Sequence, residues 1–296
     1  MRTLRVSLAG TVVLALLGGL SGAVVAQEGQ EAATSVSATD EPLFEVTVPL
    51  ELMPTVLGKI NLERHELSPG FEASIGIENE AIRGKTLYVA EGELLVTPMV
   101  DAWAWRGSEA VGGTPEVAAE GLALSLSTGD VIYLPAVPED RLTADATTGL
   151  ANTGETTVVL LGHHAHDSSI PDRFPGWPSG MSGTAVAVGF DSDDLASVMA
   201  GDAVFRLSRA RFEPGESITP DGDAAIVLAQ VESGSMEQLT VGPGGEISSE
   251  WPAGSGRSMD PSPPEGLTYT WTALGEEPLE LLMLSVTPVA SQEAAE

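Results

Sequence analysis

Apolar and polar residues alternate along most of this chain, and signals of helical period are few. Phe44-Glu45-Val46-Thr47-Val48 sets its apolar side chains on one face, the pattern of a strand with one buried side. Order is expected from Leu43 onward, after a polar, small-residue leader at 27–42 with no apolar period, read as disordered. Ile60 to Leu67 follows the alternation in part, and Pro69-Gly70 then predicts a turn. Thr86 to Val96 is strand-rich and broken by Glu91-Gly92-Glu93, a tight hairpin. Leu122 to Leu126 alternates, Thr128-Gly129-Asp130 turns, and Val131-Ile132-Tyr133-Leu134 leads into Pro135. Thr156 to Gly162 is a β-branched and leucine run that suits a buried strand.

Residues 168–183 hold Pro171, Pro175, Pro178 and three glycines, and read as a linker. Strand patterns resume at Thr184 to Phe190. They continue through Phe205–Phe212, Ala225–Val231, Met236–Val241, Leu267–Ala273 and Leu279–Val286. Asp193 to Met199 reads as a short helix capped by Asp191 or Ser192, Gly254 to Gly266 as a long loop, and 289–296 as a disordered tail. One segment occurs twice: Leu62-Glu63-Arg64-His65-Glu66-Leu67-Ser68-Pro69-Gly70 returns as Leu207-Ser208-Arg209-Ala210-Arg211-Phe212-Glu213-Pro214-Gly215. Each copy is followed by an apolar run and a second glycine, Gly92 or Gly234. Short strands punctuated by Gly and Pro predict an all-β chain of two barrels or sandwiches, at 43–167 and 184–288.

Neither half includes the N-terminus. Arg2 and Arg5 precede an apolar run from Val6 to Leu20, and small residues lead to Ala26. This is the layout of a secretory signal at 1–26, cleaved before Gln27, with export to the periplasm or the exterior. A membrane anchor is the competing reading. The run is short for a spanning helix and contains Gly10, Gly18 and Gly19, so no stable anchor is expected after cleavage. The chain has no cysteine, hence no disulfide and no lipoprotein acylation site. The signal carries two arginines and no acid, so its removal takes the formal charge from −30 to −32. Such a surface repels phosphate backbones and anionic headgroups, which argues against nucleic-acid partners. Acidity of this kind commonly serves solubility.

In their order, Pro69-Gly70, Leu87 to Leu94 around Gly92, Thr128-Gly129-Asp130 to Pro135, and Asn152-Thr153-Gly154 resemble the two motifs of the cupin superfamily. Cupins are small jelly-roll β-barrels that often occur in tandem as bicupins. The second half matches through Pro214-Gly215, Val231 to Gly234 and Leu274 to Leu279, without a clear Gly-Asp turn, and is the more degenerate copy. The resemblance implies a metal held by two histidines one residue apart, a glutamate and a third histidine. Those positions fall here at Glu78 and Glu80, at Lys85, and at Asp140 or Arg141. In the second half they fall at Pro220, Gly222 and Val227. None is the ligand the resemblance implies, so no catalytic, cofactor-binding or metal residue is assigned and no cofactor is expected.

Other candidates have plainer readings beside the functional one. Glu78, Glu80 and Asp140 offer an all-oxygen site for a hard cation, or lie in a solvated loop. His163, His164 and His166, with Asp167, offer transition-metal ligands, but their place at the end of a strand running into the linker favours surface exposure. His65 is expected to be structural. Trp103 and Trp105 share a strand face and either stack on a ligand or fill a barrel or interface. Asp191-Ser192-Asp193-Asp194 and Asp221-Gly222-Asp223 read as turns and caps. No phosphate loop, serine elbow or histidine-glutamate zinc motif occurs. The preferred reading is an exported, non-catalytic cupin-like protein that binds a small molecule or a protein partner. The alternative is a cupin-type metal-dependent oxidoreductase or isomerase with a non-standard site. Self-association through exposed sheet faces, giving a homo-oligomer, is a third.

Overall fold

A computed structural model of the chain describes residues 39–53, 59–76, 84–135, 147–166, 178–188, 201–218, 224–259 and 266–289. The first half forms β1 (Thr39–Val48), β2 (Lys59–Leu67), β3 (Glu72–Gly76), β4 (Lys85–Glu91), β5 (Glu93–Thr97) and β6 (Ala102–Trp105), then β7 (Glu116–Ala118), β8 (Leu124–Ser127), β9 (Val131–Leu134), β10 (Thr147–Ala151) and β11 (Val158–His166). The second forms β12 (Met181–Val188), β13 (Ala203–Phe212), β14 (Ser217–Ile218), β15 (Ile226–Ser233) and β16 (Ser235–Gly242), then β17 (Gly245–Pro252), β18 (Gly256–Met259), β19 (Thr268–Leu274) and β20 (Leu279–Pro288). Two short 3₁₀ turns, Leu50–Leu52 and Gly107–Ala110, are the helical elements among the described residues.

Four sheets make two sandwiches. A seven-stranded sheet, β12-β2-β11-β4-β9-β6-β7, and a four-stranded sheet, β3-β10-β5-β8, enclose Leu67, Leu87, Val89, Leu94, Ile132 and Leu160. A five-stranded sheet, β1-β13-β20-β15-β18, and a four-stranded sheet, β14-β19-β16-β17, enclose Phe212, Val231, Met236, Trp251, Trp271 and Leu281. A third core, with Phe44, Leu62, Tyr133, Leu161, Phe205 and Leu284, lies where the two larger sheets pack. Strands of those sheets are thus covered on both faces. That is why Val131 to Leu134 and Val158 to Leu161 read as unbroken apolar runs rather than alternating ones.

The repeat is structural. β2 and β13 both end in a turn closed by Gly70 or Gly215 with positive φ, with Phe71 N donating to Ser68 O and Glu216 N to Glu213 O. Gly92 and Gly234 turn the β4–β5 and β15–β16 hairpins at φ +87° and +77°. A Cβ at Gly234 would lie 2.8 Å from Pro278 O, so these positions need glycine for space as well as for conformation.

Strand membership crosses the expected halves. β1 pairs with β13, setting Phe44 opposite Leu207 and Val46 opposite Phe205, while β12 pairs with β2, setting Met181 opposite Leu67. The strand that precedes each repeat therefore lies against the other repeat. The exchange covers two exposed edges and buries Phe44 and Val46 in the third core. The two sandwiches accordingly belong to one unit of the chain. β1 also starts at Thr39, inside the expected leader, and β12 at Met181, inside the expected linker, while β18 occupies part of the expected 254–266 loop. Cross-strand pairing ordered these polar and glycine-containing stretches, which carry no apolar period of their own. The signal region, the expected helix at 193–199 and the acidic turns at 191–194 and 221–223 lie outside the described residues. Among the described residues no helix is long and apolar enough to cross a membrane.

Candidate functional site

One end of the first sandwich's interior gathers buried charged and polar side chains. Along β2, Asn61, Glu63, His65 and Leu67 alternate onto the inner face, whereas Ile60 and Leu62 point into the core between the larger sheets. Ladder register sets Asn61 opposite His164 on β11, and His164 opposite Lys85 on β4. Lys85 is in phase with Leu87 and Val89, which belong to the inner core. Three adjacent strands so deliver Glu63, His65, Lys85 and His164 to one place, where their exposures are 6, 1, 3 and 3%.

Glu63 is the hub. Its Oε2 lies 2.9 Å from His65 Nε2 and 3.6 Å from Lys85 Nζ, and its Oε1 lies 3.4 Å from His164 Nδ1. Lys85 Nζ is also 3.4 Å from His65 Nε2. That nitrogen donates to Glu63 when it carries a proton and accepts from Lys85 when it does not, so the tautomer decides which contact is the hydrogen bond. Burial by itself raises the Glu63 pKa. The attraction of Lys85 and the hydrogen bonds of His164 and His65 outweigh it and hold the carboxyl well below the usual value of 4.5. The cluster is therefore a buried carboxylate neutralised by a buried ammonium, with two imidazoles beside them. Between Glu63 and Leu87 in the ladder stands Gly162, where a Cβ would meet Thr86 O at 1.9 Å.

The structure places the expected candidates as follows. His163 and His164 are not exposed at a strand end. β11 is an interior strand with packing on both faces, so His164 points into the first sandwich and His163 into the core between sheets. The His163 ring stacks on Phe205 with centroids 4.3 Å apart, and burial pushes its pKa down to about 3, which keeps it neutral. Trp105 is buried in the same core and donates to Gly113 O at 3.2 Å, and Trp103 packs against that core, so this pair fills space between sheets. Glu78, Glu80, Asp140, Arg141, Asp167, Pro220 and Gly222 lie outside the described residues, while Val227 is packed in the second sandwich. The gap there between Phe212, Trp271 and Leu281 is too narrow to admit water.

Glu63 was not singled out by its sequence. The available signal was phase: Glu63 and His65 keep step with Leu67, and Lys85, one of two lysines, keeps step with Leu87 and Val89. The motif residues that carry the family resemblance are scaffolding. Asp130 accepts from Ser127 N, Gly107 N and Arg106 at 2.8–2.9 Å, and fixes the Gly-Asp turn. Asn152 donates to Leu67 O and Thr156 O and accepts from Gly154 N.

The metal that the resemblance implies does not fit the described residues as they stand. Lys85 puts an ammonium where the resemblance implies a carboxylate ligand, and a fixed positive charge repels a divalent ion. Among the described residues, no three His, Cys, Asp or Glu side chains are placed to hold an ion.

No protein-family profile matches the chain, and no curated protein sequence matches it. Solved structures similar to it include a Lactobacillus farciminis oxalate decarboxylase–formate complex, 10% identical over 83% of this chain and 81% of that one, with a TM-score of 0.43. A cupin 2 conserved barrel domain protein from Leptotrichia buccalis is 11% identical over 82% of this chain and 89% of its own, with a TM-score of 0.31. Vicilin from Corylus avellana is 12% identical over 77% and 74%, with a TM-score of 0.35. The doubled Pro-Gly turn, the paired hairpin glycines, the Gly-Asp turn and the two exchanged-strand sandwiches identify the fold as two cupin-like jelly-roll units in tandem.

Proposed function

We propose that this is an exported, non-catalytic protein of cupin-like fold that binds a small molecule or a protein partner. Lys85 is the observation that carries this reading. Among the described residues, the interior of the first unit holds a buried ion pair between Lys85 and Glu63, with His65 and His164 beside it. A carboxylate so neutralised, with its pKa held low, is a poor general acid or base near neutral pH. The described interior of the second unit is mainly apolar, with Ser208 buried in phase with Ala210 and Phe212. Elemental analysis of the mature protein, purified without chelator and dialysed, is expected to find far less than one metal per chain. About one equivalent retained through dialysis would overturn the reading. Export is tested by N-terminal sequencing of the protein from the extracytoplasmic fraction, which should begin at Gln27.

One observation favours the second reading, a metal-dependent oxidoreductase or isomerase with a non-standard site. Glu63, His65 and His164 together supply a carboxylate and two imidazoles, donor types used by transition metals, although as they stand they are not placed to hold an ion. The same elemental analysis decides between the two.

A further inference from the structure

We infer that the free edge of β17 is a docking strand for an extended, lysine- or arginine-bearing segment of a protein partner. This deepens the binding reading above, and rests on it, by naming the kind of partner. β17 ends the order of the sheet β14-β19-β16-β17, so among the described residues its second edge pairs with no strand. Every residue from Gly245 to Glu250 is exposed. Gly242 and Gly245 flank the two-residue turn Pro243-Gly244 and pair across it. Such a pair exchanges both backbone bonds, and the exchange recurs at every second residue. Ile247, Ser249 and Trp251 therefore bond to β16, whereas the N–H and C=O of Glu246, Ser248 and Glu250 point away from the sheet. These are the groups that an added strand takes up. The side chains of the same three residues stand on the outer face, out of phase with the buried Trp251.

Charge names the occupant. Glu237 on β16 lies directly opposite Glu250, a like-charge pair that destabilises a sheet unless a cation stands by. Elsewhere on the strands Glu66, Glu116, Glu232 and Glu280 each meet an arginine. Glu237, Glu246 and Glu250 meet none among the described residues, and Arg257, the nearest arginine along the chain, lies over the Trp251 ring instead. A second copy of β17, paired antiparallel about Ser248, would set Glu246 opposite Glu250 twice, which disfavours self-pairing. A basic strand sets one cation opposite each of these glutamates, four residues apart. Its intervening residues then lie beside Ile247, which is 67% exposed.

The test is fluorescence anisotropy of a dye-labelled, end-blocked peptide, Thr-Lys-Val-Ser-Val-Lys-Thr, titrated with the mature protein at low ionic strength. Binding is expected. It should be on the order of tenfold weaker with glutamates in place of the lysines, because two cross-strand charge pairs change sign. Glu246→Lys combined with Glu250→Lys should reverse that preference, and both side chains are exposed, so the fold should be kept. Methylating the central serine nitrogen of the peptide, or Ser248→Pro in the protein, removes a backbone donor at the free edge without touching the β16 ladder. Either should abolish binding. No binding of the lysine peptide, equal binding of both peptides, or binding that survives either block overturns the inference. Self-association of the native chain that Ser248→Pro abolishes assigns the edge to a second copy and overturns it too. Metal in the native chain refutes the non-catalytic reading and leaves the edge strand unaffected, whereas a lysine peptide that does not bind refutes the docking edge alone.

Discussion

Removing one member of the Lys85–Glu63 pair should cost far more than removing both. At 3.6 Å and an effective dielectric of about 20, the attraction between unit charges is about 4–5 kcal/mol. The solvation that both groups lost on burial offsets much of this, so the pair as a whole contributes little net stability. Lys85→Met leaves Glu63 buried without its cation, and Glu63→Gln leaves Lys85 buried without its anion. Each is expected to destabilise by about 3–5 kcal/mol. The double variant buries neither charge and should lie within about 1–2 kcal/mol of the native chain, so the two substitutions couple strongly. Urea unfolding at pH 7 followed by tryptophan fluorescence measures all four corners of the cycle. The dependence on urea should be unchanged between variants. Single effects below about 1 kcal/mol that simply add in the double variant would refute the reading of this cluster as a coupled buried pair.

Glu63 also predicts a pH signature. Its folded pKa is depressed, so its contribution is complete above the unfolded carboxyl value of 4.5 and is lost as pH falls through the lower folded value. The stability difference between native and Glu63→Gln chains should therefore be flat above about pH 5 and shrink below it, as read by thermal unfolding across pH. Gly162→Ala places a Cβ 1.9 Å from Thr86 O between two central strands, and should lower stability by more than about 3 kcal/mol or prevent folding, as scored by soluble yield and melting temperature. Asn152→Ala leaves Leu67 O and Thr156 O without their side-chain donor and should cost about 1–3 kcal/mol in urea unfolding. Deleting Thr39–Val48 uncovers the Phe205 and Leu207 edge of β13, so the shortened chain should aggregate or expose hydrophobic surface to a fluorescent dye.

Much of the fold was legible because strands write their burial in a period of two and turns write theirs in Gly and Pro. The hairpin at Gly92, the Gly-Asp turn and the Val131 to Leu134 strand all stand where the residues put them. The exchange of β1 and β12 was not legible, since an edge strand shows which face is buried but not which neighbour it pairs with. His163 and His164 show the same limit more sharply. Three histidines before a Pro- and Gly-rich stretch look like a solvated strand end, yet two of them are buried on opposite faces of an interior strand.

The sequence by itself determined an all-β chain, its internal duplication, and the substitution of a lysine where the resemblance implies a metal ligand. These are local properties, set by residue type and spacing. Tertiary structure alone decided that Lys85 meets Glu63, His65 and His164. Those residues come from β2, β4 and β11, up to about a hundred positions apart in the chain. Register across three strands brings them together, and register depends on the whole sheet. Burial then gives the meeting its consequence, because a carboxylate shielded from water must find its cation in the protein.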